Sequence, residues 1–156
     1  MEKDYDELWD TYSIEFCKKL EYDCGGDWSR LDETEQEIAA LWKLVVDMYS
    51  GGFDEFFLNW GYDCYVYAMR GIKRVSEKSN SIEKVYELFE NVYTKVFARF
   101  ANDDRISSYA DIIGYLTEED GEILDQTFES FDDELGPMLC EAAYEFYHDN
   151  LNKTVK

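Results

Sequence analysis

Apolar residues recur with a helical period along almost the whole of this chain, and no stretch alternates as a half-buried strand would. Tyr5, Leu8, Trp9, Tyr12, Phe16 and Leu20 share one helical face, and Gly25-Gly26 stops that helix. Asp32 and Glu35 have the spacing of a capping box, ahead of a stripe of Ile38, Leu41, Trp42, Val45, Met48 and Tyr49. Phe53, Phe56, Phe57 and Trp60 stand at i, i+3, i+4 and i+7, a short amphipathic helix with its large rings directed to the core and Gly61 at its end. Tyr65, Ala68, Met69, Ile72 and Val75 mark the next helix. Asn80 with Glu83 is placed to cap the one after it, striped by Val85, Phe89, Val92, Val96 and Phe100. Beyond a loop at 101–104, Tyr109, Ile112, Ile113 and Leu116 predict a shorter helix, and Ile123, Leu124, Phe128 and Phe131 another. Leu135 to Leu151 predict the last. The pattern predicts an all-α fold: a compact single-domain bundle of roughly seven or eight helices over residues 1–156.

Composition narrows the function classes. With 46% hydrophobic and 17% aromatic residues in 156, the chain has enough apolar surface for a core. Its 36 Asp and Glu against 15 Lys and Arg give a net charge of −21. That charge excludes direct binding to nucleic acid or an anionic membrane and makes a basic protein surface the natural complement. The first ten residues, MEKDYDELWD, contain no apolar signal region, and no apolar run reaches membrane-spanning length, so a cytoplasmic location is expected. Cys17, Cys24, Cys64 and Cys140 form no C-x-x-C pair and are expected to be reduced and mostly buried.

No catalytic constellation stands out, so the chain is read as a non-enzyme without cofactor or metal. Glu145 and the lone His148 have the Glu-x-x-His spacing of a di-metal ligand pair, but such a site needs the motif twice. The four cysteines are too scattered for a zinc site, and no EF-hand spacing fits the acidic runs. Arg70, Lys73, Arg74 and Lys78 cluster near one helix end, where cations suit the dipole and pair with surface acids.

The segment Ser50-Gly51-Gly52-Phe53-Asp54-Glu55-Phe56-Phe57-Leu58-Asn59 places two glycines between two helices. A phosphate cradle would carry a basic residue there. Asp54 and Glu55 instead predict a tight corner, with Gly51 or Gly52 at positive φ. This block resembles the N-G-G-F-x-Q-[YF]-[FY]-x-N signature of a bacterial all-helical domain family that includes an acidic DNA-mimic protein. Leu124-Asp125-Gln126-Thr127-Phe128 is similar to that family's L-D-x-x-[FY] block. The resemblance covers about residues 35–150. It implies an all-helical fold and permits a DNA-mimic function. Gly51, Gly52, Phe53, Phe56, Phe57 and Asn59 match the signature, whereas Ser50 replaces its Asn and Glu55 its Gln. If the family's Asn and Gln support a shared site, it is altered here; if they cap and brace the corner, Ser50 can still cap.

The acid is unevenly spread. Residues 106–152 carry 13 acidic side chains and no Lys or Arg. The densest run holds nine carboxylates in 17 residues: Glu118, Glu119, Asp120, Glu122, Asp125, Glu129, Asp132, Asp133 and Glu134. A helix of that length spans about 25 Å, which gives about one charge per 3 Å, near the 3.4 Å phosphate repeat of a DNA strand. All nine are expected to be exposed and to act as phosphate substitutes. Asp4, Asp6, Glu7 and Asp10 form a candidate second patch. The leading expectation is an acidic interaction module, a DNA-mimic-type inhibitor of a basic nucleic-acid-binding regulator. The alternatives are an immunity protein that neutralises a toxin and, further off, an enzyme on a small substrate. The sequence leaves a homodimer open.

Overall fold

The computed structural model describes residues 3–155. Among them there are six α-helices and no strand: α1 (Tyr5–Lys18), α2 (Glu33–Ser50), α3 (Phe53–Ser76), α4 (Glu83–Val92), α5 (Glu118–Ser130) and α6 (Gly136–Tyr144). The all-α expectation holds, with six α-helices in place of seven or eight. The difference lies in how segments join. Gly61, at φ 80° and ψ −166°, breaks the backbone inside α3, so the expected stop there is a kink within one helical run. Tyr109–Tyr115 is a 3-10 segment. The predicted last helix is α6 followed by a π turn at Glu145–Asn150.

The central helix is α2, which packs between α1 and α3; α6 lies on α1, α4 on α3, and α5 touches both α3 and α4. Its capping box is formed: Glu35 N–H donates to Asp32 Oδ1 at 2.8 Å, and Asp32 N–H to Glu35 Oε1 at 3.0 Å. Ile38, Ala39, Ala40, Leu41, Leu44 and Met48 of α2 are fully buried. So are the charged Glu35, Glu37 and Lys43, because other helices supply their partners: Lys19 at 2.6 Å, Arg70 and Arg74 at 2.7 Å, and Glu21 at 3.3 Å respectively.

Phe53 is the aromatic hub. Its ring meets those of Phe56, Phe57, Tyr65, Phe89 and Phe97 with centroids 5.6–6.3 Å apart, and it has no exposed surface. Burying such a side chain contributes about 1.5–3 kcal/mol. Gly25 and Gly26, both at positive φ, end the α1 segment. The four cysteines are free thiols, all buried. Ahead of α4 the expected Asn80–Glu83 cap is absent; Asn80–Ile82 is a 3-10 turn leading directly into the helix without a side-chain cap. Among the described residues, no helix is long and apolar enough to cross a membrane.

Candidate functional site: an acidic ridge and the corner that seats it

Helix α5 begins at a second capping box. Asp120 N–H donates to Thr117 Oγ1 at 3.1 Å, and Thr117 N–H to Asp120 Oδ2 at 2.8 Å. Asp120 also receives both terminal nitrogens of Arg99, Nη1 at 3.0 Å on Oδ1 and Nη2 on Oδ2. The paired guanidinium pushes its pKa down to about 2. With 4% of its surface exposed, Asp120 is a structural strut. The expectation that all nine carboxylates are displayed is therefore corrected: eight are exposed and Asp120 is buried, because the helix start and Arg99 both require it.

The exposed eight are Glu118, Glu119, Glu122, Asp125, Glu129, Asp132, Asp133 and Glu134. Glu118, Glu122, Asp125 and Glu129 stand at i, i+4, i+7 and i+11, so they line one face over about 16 Å. The charge spacing on this ridge is about 5–6 Å, wider than the 3 Å reckoned along the axis, since the remaining acids point elsewhere. The opposite side of α5 is apolar: Leu124 and Thr127 are buried, and Phe131 follows with no exposed surface.

Past Ser130 the backbone stays helical through a π turn, Phe131–Leu135, and runs directly into α6. Pro137 explains the turn. It has no N–H to donate, and its ring opposes the carbonyl four residues back, so a wider turn before it accommodates the ring. Asp132, Asp133 and Glu134 are exposed on this turn.

Two other parts of the chain bring carboxylates towards the ridge. Tyr49 lies near both Asp6 and Asp132; burial raises its pKa, and Cys140 and these two acids add to the shift. The end of the run and part of the N-terminal patch thus converge there. Asp4, however, is occupied as the N-cap of α1, and Asp10 accepts the Trp42 indole N–H at 2.8 Å, so of the proposed patch only Asp6 and Glu7 are without such tasks. At the other end, burial raises the pKa of Asp54, and Glu55 and Asp125 raise it further.

Asp54 belongs to the Gly-Gly corner, and the corner seats α5. Gly52 has φ 107°, as expected for one of the two glycines, while Gly51 lies at φ −151°. A Cβ on Gly52 would stand 3.8 Å from the Phe128 ring of α5. Phe53, Phe56 and Phe57 are buried. Ser50 makes no cap; it is the exposed last residue of α2, and Gly52 occupies the N-cap position of α3. Glu55 folds back over Gly51, its carboxylate 3.0–3.2 Å from where a Cβ would sit. Asn59, exposed, donates to Asp47 at 3.3 Å. Trp60 departs from its expected core position: it is 39% exposed, donates its indole N–H to Asp47 at 2.8 Å, and takes the Lys43 ammonium over its ring at 3.4 Å. An aromatic with a polar tip suits that boundary better than the interior.

The basic cluster divides in two. Arg70 and Arg74 cross to α2 and enclose Glu37, a deeper role than surface pairing, while Lys73 and Lys78 are exposed. His148 is exposed too, stacked on Tyr144 at 4.4 Å with Nδ1 2.8 Å from Asp149. No group of three or more metal-ligating side chains comes together among the described residues.

Sequence reasoning missed Thr117 and Arg99. Thr117-x-x-Asp120 is the same capping-box pattern as Asp32-x-x-Glu35 and could have been read as one. Arg99 carries no comparable signal, because its partner is 21 residues away.

No curated protein and no solved structure matches the chain. The family model described as DMP19-like protein matches residues 29–153, which include the Gly-Gly corner, all of α5 and the π turn that follows it. The chain belongs to the DMP19-like protein family.

Proposed function

We propose that this protein is an acidic interaction module of the DNA-mimic type, which occupies the nucleic-acid-binding face of a basic protein. The observation that carries the reading is the α5 ridge: four exposed carboxylates on one helical face, in a 47-residue stretch without Lys or Arg. Membership of the DMP19-like family supports it. The chemistry is electrostatic replacement of phosphates and requires no bond to form or break. Steering by a −21 surface would speed encounter with a cationic partner and make the complex salt-sensitive.

The test is a competition titration. A basic partner captured from native cell extract and eluted by rising salt is mixed with labelled DNA and then with this protein. The variant Glu118→Gln/Glu122→Gln/Asp125→Asn/Glu129→Gln keeps Asp120, since the fold needs it. Displacement of DNA by the parent, lost in the variant and weakened by salt, is the expected result. Equal competition by the variant would overturn the proposal and leave the acid as a solubilising coat. A captured partner with no DNA-binding activity would also overturn it and favour a neutralised toxin.

A further inference from the structure

A cleft of about 930 Å³ opens between the π turn Tyr93–Phe97 and the 3-10 segment Tyr109–Tyr115. Neither its position nor its lining follows from the acidic run. The walls are aromatic. Phe57 and Phe97 stack at 4.6 Å, Tyr109 stands edge-on to Phe57 at 5.4 Å, and Tyr62 lies 5.7 Å from Tyr93. The π turn brings Tyr93 and Phe97 into this wall, and such turns recur at functional sites. The charged residues lining the cleft are Asp103 and Asp104; no Lys or Arg lines it.

Three phenols meet here. Burial raises the pKa of Tyr93, with Tyr62 and Tyr109 as the neighbours that raise it further. Among the described residues, none of the three hydroxyls makes a hydrogen bond within the protein, and Asp104 has no ion-pair partner. The adjacent cation, Arg105, is engaged elsewhere: it pairs with Asp103 at 2.6 Å and lies over Tyr115 at 4.2 Å. The cleft therefore offers π faces, free phenol oxygens and an unpaired carboxylate, all of which attract a cation. A planar guanidinium uses all three at once, by stacking and by directional donation.

We propose that this cleft anchors an arginine side chain carried on an extended basic segment of the protein's partner. The volume suits a short peptide segment, at the upper end of ordinary ligand pockets. The net charge of −21 selects a cationic occupant over a neutral one. The route from cleft to ridge is short: Phe100 lines the cleft, and its neighbour Arg99 holds Asp120 in the first turn of α5. The identity of the partner rests on the function proposed above; the chemistry of the cleft does not.

The probe is a blocked Gly-Arg-Gly-Arg-Gly peptide, with citrulline in place of arginine as its neutral isostere. Binding to the full chain is followed by NMR on the ring protons of Tyr62, Tyr93 and Tyr109. The arginine peptide is expected to shift these rings, and the citrulline peptide to bind about tenfold more weakly. Tyr62→Leu/Asp104→Asn, both at exposed positions, should weaken the arginine peptide about tenfold while the thermal midpoint stays near the parent's. Tyr93→Phe, which keeps the ring, should weaken it less. The ridge variant described above should still show the ring shifts. Equal binding of the two peptides, unchanged binding by the Tyr62/Asp104 variant, or shifts confined to α5 would each overturn the cleft proposal. The two readings fail separately. A cleft without ring shifts beside a ridge that still displaces DNA sinks only the arginine site. Ring shifts beside a ridge variant that competes like the parent sink only the DNA mimic.

Discussion

Tyr147 and Glu37, 110 residues apart in the chain, meet with the phenol donating to Oε1 at 2.8 Å, and neither has any exposed surface. Arg70 and Arg74 complete the cluster at 2.7 Å each, tying α2, α3 and the segment after α6 together. The donors to Glu37 come from α3 and from the segment after α6, so the carboxylate of α2 is a junction of three elements. Replacing Glu37 with Leu removes the shared acceptor of two guanidinium groups that keep partial solvent access and other partners, and should cost about 3 kcal/mol or more. Tyr147→Phe removes one hydrogen bond to a charged acceptor and should cost about 1.5–3 kcal/mol. Urea unfolding of the two variants checks the order, and a milder loss for Glu37→Leu would be inconsistent with this account.

Asp120 makes a pH prediction. Its pKa in the folded chain is about 2, below the ordinary 3.8, so its pairing with Arg99 stabilises the fold fully above pH 3.8. That contribution is lost as pH falls through the folded value. Arg99 is partly solvated, which reduces the gain to about 1–2 kcal/mol. Asp120→Asn should therefore be less stable than the parent at pH 7, and the two should converge between about pH 4 and pH 2. Denaturant midpoints across that range measure the gap; a constant gap down to pH 2 would contradict the assignment.

The glycine corner separates into two roles. Gly52→Val puts a β-branched residue at φ 107° and its methyls towards Phe128, and should destabilise by about 2–3 kcal/mol or more. Gly51→Ala meets only the end of the flexible Glu55 side chain and has no positive φ to adopt, and should cost about 1 kcal/mol, less than Gly52→Val. Thermal unfolding distinguishes them, and equal effects would place the constraint elsewhere.

On the ridge, neutralisation should do no structural harm. Glu118 and Glu122, and Asp125 and Glu129, are like-charged i, i+4 pairs that repel each other. The four-site variant should be as stable as the parent or a few tenths of a kcal/mol more stable at low ionic strength. Adding salt should stabilise the parent more than the variant, because screening relieves repulsion that the variant lacks. A clear loss of stability on neutralisation would mean that these carboxylates bear structural contacts.

The sequence revealed the elements better than their joints. Period 3.6 located the helices, the Asp32–Glu35 spacing located the start of α2, and the glycine pair located the corner. Trp60 fell on the apolar stripe by spacing, yet the kink one residue later and the ammonium of Lys43 beside it place the ring at the boundary. Asp120 looked like one more acid in a run, because its guanidinium partner comes from another element. The aromatic cleft was equally hidden: Phe57 and Tyr109 read as stripe residues, Tyr93 lay off its helix's stripe, and only tertiary packing leaves their common side open.

The burial of Phe131 against Phe89, rings 5.8 Å apart, has a further consequence. It docks the acid-bearing helix onto the aromatic core, so its carboxylates sit on a fixed template and are not strung along a loose polyanion. A partner meeting this template is judged on the pitch of its cations as well as on their number. Little conformational freedom remains to be surrendered on association. Under the proposed function, discrimination among basic proteins becomes a matter of metrical fit, set by a packing contact inside the protein.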